Sequence, residues 1–263
     1  MYSYTFIQWV LFFYIYCFVG WIIESTIVSV ETKHFVNRGF LRGPFLPIYG
    51  FGALAILFST LPFRDNPILV YFFGMLSTTV LEYFTGWLME SILKMKYWDY
   101  SKRKFNLKGR ICLRSSLFWG FLSLFLIYML HAAVEDFVLS LSNAMQIAMF
   151  TVLTVFIVSD AVYAFKTAFD MNKFLAKMED IRTELEEKAV LLENRVENSE
   201  YVQEIRSRVE ELKAERREMV SRLGYFKRSL INAHPTAVSD KFNESLKELR
   251  LELREKIEEK LSR

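Results

Sequence analysis

The chain has 263 residues, 52% of them apolar and 16% aromatic, with 25 Phe and a formal net charge of +3. That is more apolar side chain than the core of a soluble domain of this size absorbs, and the balanced charge excludes a basic nucleic-acid-binding surface. Cys17 and Cys112 offer no disulfide framework, and His34, His131 and His234 are too scattered for a zinc site.

A bilayer core about 30 Å thick takes about 20 apolar helical residues, and five stretches approach that length. Residues 4–30 carry one charge, Glu24, and lack the basic flank and cleavage site of a signal peptide, so they read as a retained span. Residues 45–61 are short, bounded by Pro44 and Pro62, with Gly50, Gly52, Ala53 and Ala55 suited to close helix packing. Residues 68–93 carry Glu82 and Glu90, residues 117–134 are clean apart from His131, and residues 144–165 carry Asp160. Each lipid-facing span has to be helical, because only then does it satisfy its own backbone hydrogen bonds.

The connections orient these spans. Residues 31–43 hold Lys33, Arg38 and Arg42, and residues 94–114 hold eight Lys/Arg against the single acid Asp99. The other two turns carry no such excess. The positive-inside rule then puts both basic loops and the tail in the cytoplasm and the N-terminus outside.

From Met171 onward there are twenty basic and twenty acidic residues. Val202, Ile205, Val209, Leu212, Met219, Leu223, Phe226 and Leu230 follow heptad spacing, with Arg216 as a polar seam position. Phe174, Met178, Ile181 and Leu185 do the same upstream. The two registers fail to join, which predicts a break near Asn198. Pro235 interrupts the pattern, and Ser239 is expected to cap a last helix to Leu261. The predicted fold class is therefore all-α: a polytopic membrane helical bundle of about five spans in residues 1–170, then a cytoplasmic coiled-coil tail in residues 171–263 that favours a homo-oligomer.

Two stretches of the membrane part look duplicated. FVGWIIES at 18–25 and FTGWLMES at 84–91 agree at five of eight positions, and each leads into a basic loop. Each loop holds a glycine, Gly39 or Gly109, with the pair Tyr49-Gly50 or Trp119-Gly120 ending eleven residues later. Two-span units repeated in one direction are known among transporters.

The intramembrane acids carry most of the functional information. An ionised carboxylate at mid-span costs about 2.5–3.5 kcal/mol or more, so Glu24, Glu82, Glu90 and Asp160 need partners or water, and Glu82 is the deepest. Arg38, Arg42, Arg110 and Arg114 are the expected counter-ions. Two readings stand side by side: buried ion pairs that fix helix register, or the lining of a substrate or proton path. The second basic loop, with Asp99 and Asn106, reads as a topology signal or as a cap for anionic headgroups or substrate. There is no GxxxxGK[ST], HExxH or GxSxG, so ATP hydrolysis would come from another chain, and no catalytic residue, metal or cofactor is predicted.

The strings NRGFLRGPFLPIYGFG at 37–52, LEYFTGWLMES at 81–91 and YWDYSKRKFNLKGRICL at 97–113 resemble the bacterial “putative ABC-transporter type IV” membrane proteins, the CmpB-like family. The resemblance covers roughly residues 12–165 and implies a multi-pass membrane protein of the transport-permease type, with a separate ATPase subunit as partner. The alternative is a membrane-anchored coiled-coil scaffold that recruits cytoplasmic partners. An intramembrane enzyme acting on lipid-linked substrates is a third, less supported reading.

Overall fold

A computed structural model describes residues 4–193, 199–239 and 241–261. Helix α1 (Phe6–Thr32) begins at a capping box in which Thr5 and Gln8 satisfy one another's backbone N–H groups. Helix α2 (Pro47–Thr60) starts at proline and runs into a short 3-10 turn at Leu61–Phe63. Helix α3 (Pro67–Leu93) is capped by Asn66, whose Oδ1 accepts from the N–H groups of Ile68 and Leu69. The second basic loop contains a two-stranded antiparallel ribbon, β1 (Asn106–Leu107) and β2 (Ile111–Cys112). Helix α4 (Leu113–Phe125) continues through a π-helical turn at Leu126–Leu130 into α5 (His131–Ser140). Then follow α6 (Asn143–Glu193), α7 (Ser199–Ser221), α8 (Tyr225–Ala233) and α9 (Asn243–Leu261).

Four helical stretches among the described residues are long and apolar enough to cross a membrane: Phe6–Thr32, Pro67–Leu93, Leu113–Ser140 and Asn143–Glu193. The second expected span, 45–61, is the shorter apolar piece Pro47–Phe63. The helices that carry the fourth and fifth expected spans, 117–134 and 144–165, are longer than the spans themselves, because nothing there stops a helix. In particular, no glycine or proline lies between Asn143 and Glu193, so α6 runs unbroken across the boundary drawn at residue 170.

Helices α1 to α4 pack as successive neighbours, with α5 and α6 against α1. Leu11, Phe12, Ile56, Leu57, Val70 and Ile127 form the core between them. Phe72, Leu76 and Val80 on α3, and Val152, Val155 and Val162 on α6, remain exposed on the outside. A contiguous apolar exterior of this kind suits hydrocarbon rather than water.

The tail folds back on itself. Arg208 on α7 pairs with Glu184 on α6 at 2.8 Å, and Lys177 on α6 with Glu215 on α7 at 2.6 Å, so the two helices are antiparallel. Helix α9 lies alongside, with Ser245 donating to Glu179 at 2.7 Å and Arg216 reaching Glu248 at 3.0 Å. Met171, Leu175, Met178, Val220, Leu246 and Leu249 make a core that also takes in Leu93, Met95 and Tyr97 from the end of α3. An apolar seam closes equally well on an antiparallel segment of its own chain as on a second copy. Ile205, Leu212 and Leu223 are accordingly buried within the chain, and the heptad stretches of 171–230 are carried by α6, α7 and α8. The break expected near Asn198 lies outside the described residues. Ser239 accepts from the Phe242 N–H at 3.3 Å, just ahead of α9.

Docking of the tail is specific. Lys96 and Val238 exchange two backbone hydrogen bonds of 2.9 Å, and Asn172 donates to the Leu93 carbonyl at 2.6 Å, satisfying an orphan group at the α3 terminus. His234 sets its ring edge-on to Tyr97, with centroids 4.8 Å apart, and its Nε2 is shut off from solvent with no hydrogen-bond partner among the described residues. Burial, reinforced by the nearby Arg38 charge, pushes this imidazole down to about 3.

Candidate functional site: carboxylates between two hairpins

The two duplicated hairpins, α1–α2 and α3–α4, show the same local devices. The basic loop after each outgoing helix turns through a glycine at positive φ, Gly39 at 138° and Gly109 at 70°. A Cβ at Gly109 would also stand 2.5 Å from both Asp99 Oδ1 and Ser101 Oγ. Each outgoing helix carries a glutamate that pairs with an arginine of its own loop. Arg38 reaches Glu24 at 3.6 Å, and Arg110 reaches Glu90 at 2.7 Å.

Around these pairs the two hairpins differ. Glu24 accepts a further hydrogen bond of 2.7 Å from Tyr49 on α2. Glu90 is also near Lys96 at 3.6 Å, while Arg110 donates to Tyr83 at 3.1 Å. Both glutamates are partly exposed, Glu24 two turns before the end of α1 and Glu90 in the last turn of α3.

Glu82 is another matter. It is 6% exposed, and its carboxylate accepts from Ser115 Oγ at 3.1 Å, from the Trp119 indole N–H at 3.1 Å and from the Tyr100 hydroxyl at 3.2 Å. Every donor is neutral, and none of the ion pairs among the described residues involves Glu82. Burial, with the Glu82 charge adding to it, pushes the Tyr100 hydroxyl up to about 12, so it remains a proton donor. Trp119 in turn faces Tyr49, ring centroids 5.8 Å apart. The Glu24–Tyr49 group of one hairpin and the Trp119–Glu82 group of the other thus meet across a single aromatic contact.

The remaining expected residues lie elsewhere. Asp160 on α6 binds the first basic loop, accepting from the backbone N–H groups of Arg42 at 3.2 Å and Gly43 at 2.8 Å. Among the described residues Arg42 pairs with no carboxylate; its guanidinium lies over the Phe226 ring and donates to Thr167. Asp99 and Asn106 shape the second loop, Asp99 accepting from Ser101 and Asn106 from the Gly109 N–H. Arg114 is exposed beside Phe105 and Phe118, away from the acids. Of the four expected counter-ions, Arg38 and Arg110 serve as such.

Sequence reasoning missed Ser115, Tyr100 and Tyr83 as ligands of this group. Tyr49 and Trp119 were singled out, but as repeat markers. A second polar cluster also went unassigned: His131 Nδ1 lies 2.8 Å from the Tyr16 hydroxyl, and Tyr4 donates to Glu135 at 2.6 Å beside it. The π-helical turn directly before His131 was its one structural marker.

The family model described as “putative ABC-transporter type IV” matches residues 11–165, more than half of the chain, and that stretch contains all but the first residues of the α1–α2 hairpin, the α3–α4 hairpin, both basic loops, and Glu24, Glu82, Glu90, Asp99 and Asp160. Neither the curated proteins nor the solved structures gave a match. Helices of membrane-spanning length, the paired hairpins and the family match agree, and the chain belongs to the putative ABC-transporter type IV family of membrane proteins.

Proposed function

We propose that the chain is the integral subunit of a transport system in a bacterial cell membrane, with Glu24, Glu82 and Glu90 bordering a polar path between the two hairpins. In this reading both basic loops and the tail face the cytoplasm, where an ATPase carried by another chain docks. The observation that carries it is Glu82, a carboxylate sealed within an apolar span on neutral donors alone. A purely architectural acid at that depth gains most from a cation, whereas one that must exchange a cargo or a proton is better held by hydroxyl and indole groups that leave its charge uncompensated.

A path between two hairpins needs walls on its open sides, so a homo-oligomer belongs to this reading. With Ile205 and Leu212 engaged in-chain, the exposed apolar faces of α3 and α6 are among the surfaces open to a second copy. The scaffold alternative loses weight for the same reason, since its recruiting seam is already occupied.

The test is purification of the full chain with its ATPase and reconstitution into vesicles. Glu82→Gln should leave the assembly intact while lowering membrane-stimulated ATP hydrolysis at least about tenfold, equivalent to about 1.4 kcal/mol of barrier. Unchanged hydrolysis in a normally assembled Glu82→Gln complex would remove Glu82 from the path.

A further inference from the structure

Two clefts meet at the basic-loop end of the bundle. The first, about 340 Å³, lies between the first basic loop, Thr167 on α6, and Phe226 and Ser229 on α8. The second, about 410 Å³, follows the outer face of α1 past Ile22, Thr26 and Val30 to Lys33 and His34. Trp21 and Phe35 line both, so the two form one bent surface. Glu82 lies in neither.

The surface changes character along its length. At its inner end the Arg42 guanidinium is stacked 3.6 Å over Phe226, and Nη2 donates to Thr167 at 2.9 Å. Its Nε is shut off from solvent and has no acceptor among the described residues. Asp160 on α6 is engaged by the backbone N–H groups of this loop instead. At the outer end, Ile22 and Val30 are exposed on a helix long and apolar enough to cross a membrane. An occupant that matches both ends carries an anion on one side and a hydrocarbon chain on the other.

We infer that this surface is a binding site for an anionic phospholipid, its phosphate at Arg42 and an acyl chain along α1. A guanidinium at a cleft with no carboxylate partner among the described residues favours a charged oxygen acceptor over a neutral one, and basic pockets at the ends of membrane helices suit headgroup phosphates. The inner cleft falls within the range of about 300–1,000 Å³ common to small-molecule sites. Lys33 at the rim adds positive charge where the headgroup meets water. Because Arg42 lies against Phe226, a bound headgroup also bridges the membrane part to α8 of the tail. The site is independent of the transport reading and would stand if that reading failed.

Native mass spectrometry of the full chain, released from nanodiscs of mixed phosphatidylglycerol and phosphatidylcholine, reads the site directly. Wild type should retain phosphatidylglycerol preferentially. Arg42→Gln should reduce that preference about tenfold, the usual scale for one charge-assisted contact, and Arg42→Lys should restore part of it. Ser229→Trp fills the inner cleft while sparing the guanidinium, and should also abolish retention. Equal retention of the two lipids by wild type, or an undiminished preference in both Arg42→Gln and Ser229→Trp, would overturn the proposal. So would ready displacement of the lipid by millimolar inorganic phosphate, which would reassign the cleft to a free anion.

Discussion

Glu82 and Glu90 stand on one helix, two turns apart, in opposite circumstances. Glu90 has Arg110 at 2.7 Å and is partly exposed; among the described residues Glu82 has three neutral donors and no cation, and it is 6% exposed. Truncation separates them in stability as well as activity. Glu82→Ala strands the Trp119 N–H and the Ser115 and Tyr100 hydroxyls in a buried site, and should lower stability by on the order of 3 kcal/mol, read as a fall in the detergent melting temperature. Glu82→Gln keeps the volume and most of the hydrogen bonding, and should cost far less. His234 gives a residue-scale prediction of a different kind. Its imidazole is neutral when docked, at about 3, and titrates near 6.5 when released, so undocking takes up a proton. Docking is then fully stable above about pH 6.5 and weakens as pH falls, by about 2 kcal/mol at pH 5. Protease sensitivity of the tail should rise between pH 7 and pH 5 in wild type, and the rise should be absent in His234→Gln.

Among the elements, the basic loops are built as tightly as the helices they join. Gly109 adopts φ 70° with Asp99 and Ser101 packed where a side chain would stand. Gly109→Ala should cost about 1–2 kcal/mol from the left-handed backbone alone, and more from the crowding. Gly224 is the control: its φ is −65° and its side-chain direction is empty, so Gly224→Ala should stay within about 0.5 kcal/mol. Thermal unfolding of the two variants side by side makes the comparison. The repeated pattern was readable from FVGWIIES and FTGWLMES and from the glycine spacing; positive φ alone leaves no such mark, since Lys33, Lys94, Phe105 and Lys108 adopt it as well. Which residue would ligate which acid was not readable, since Ser115 and Trp119 lie more than thirty positions from Glu82.

For the molecule as a whole, the tail is the part whose role changed most between pattern and packing. Leu249 is fully buried where α9 meets α6, in a core that continues into Leu93 and Met95 at the end of α3. Leu249→Ala should remove about 2–5 kcal/mol, freeing α9 to hydrogen exchange first and then exposing the end of α3. If exchange at Leu93–Tyr97 were unaffected, the continuous core between tail and membrane part would be refuted. The same continuity gives the tail a way to sense the membrane part, through Asn172 on Leu93 and through the paired backbone of Lys96 and Val238.

Solvent preference is a local property, and so the spans, the basic loops, the charged tail and the embedded acids could all be read in the letters alone. Partner choice is not local. Heptad spacing states that a seam must be covered, but the antiparallel return of α7 and α9 is what covers it with the same chain. Acids and arginines in one region state that charges must be balanced, but the three-dimensional approach of the hairpins is what gives Glu24 and Glu90 their arginines and leaves Glu82 with none. That distribution is a matter of distances between remote positions, and those distances exist only once the helices have packed.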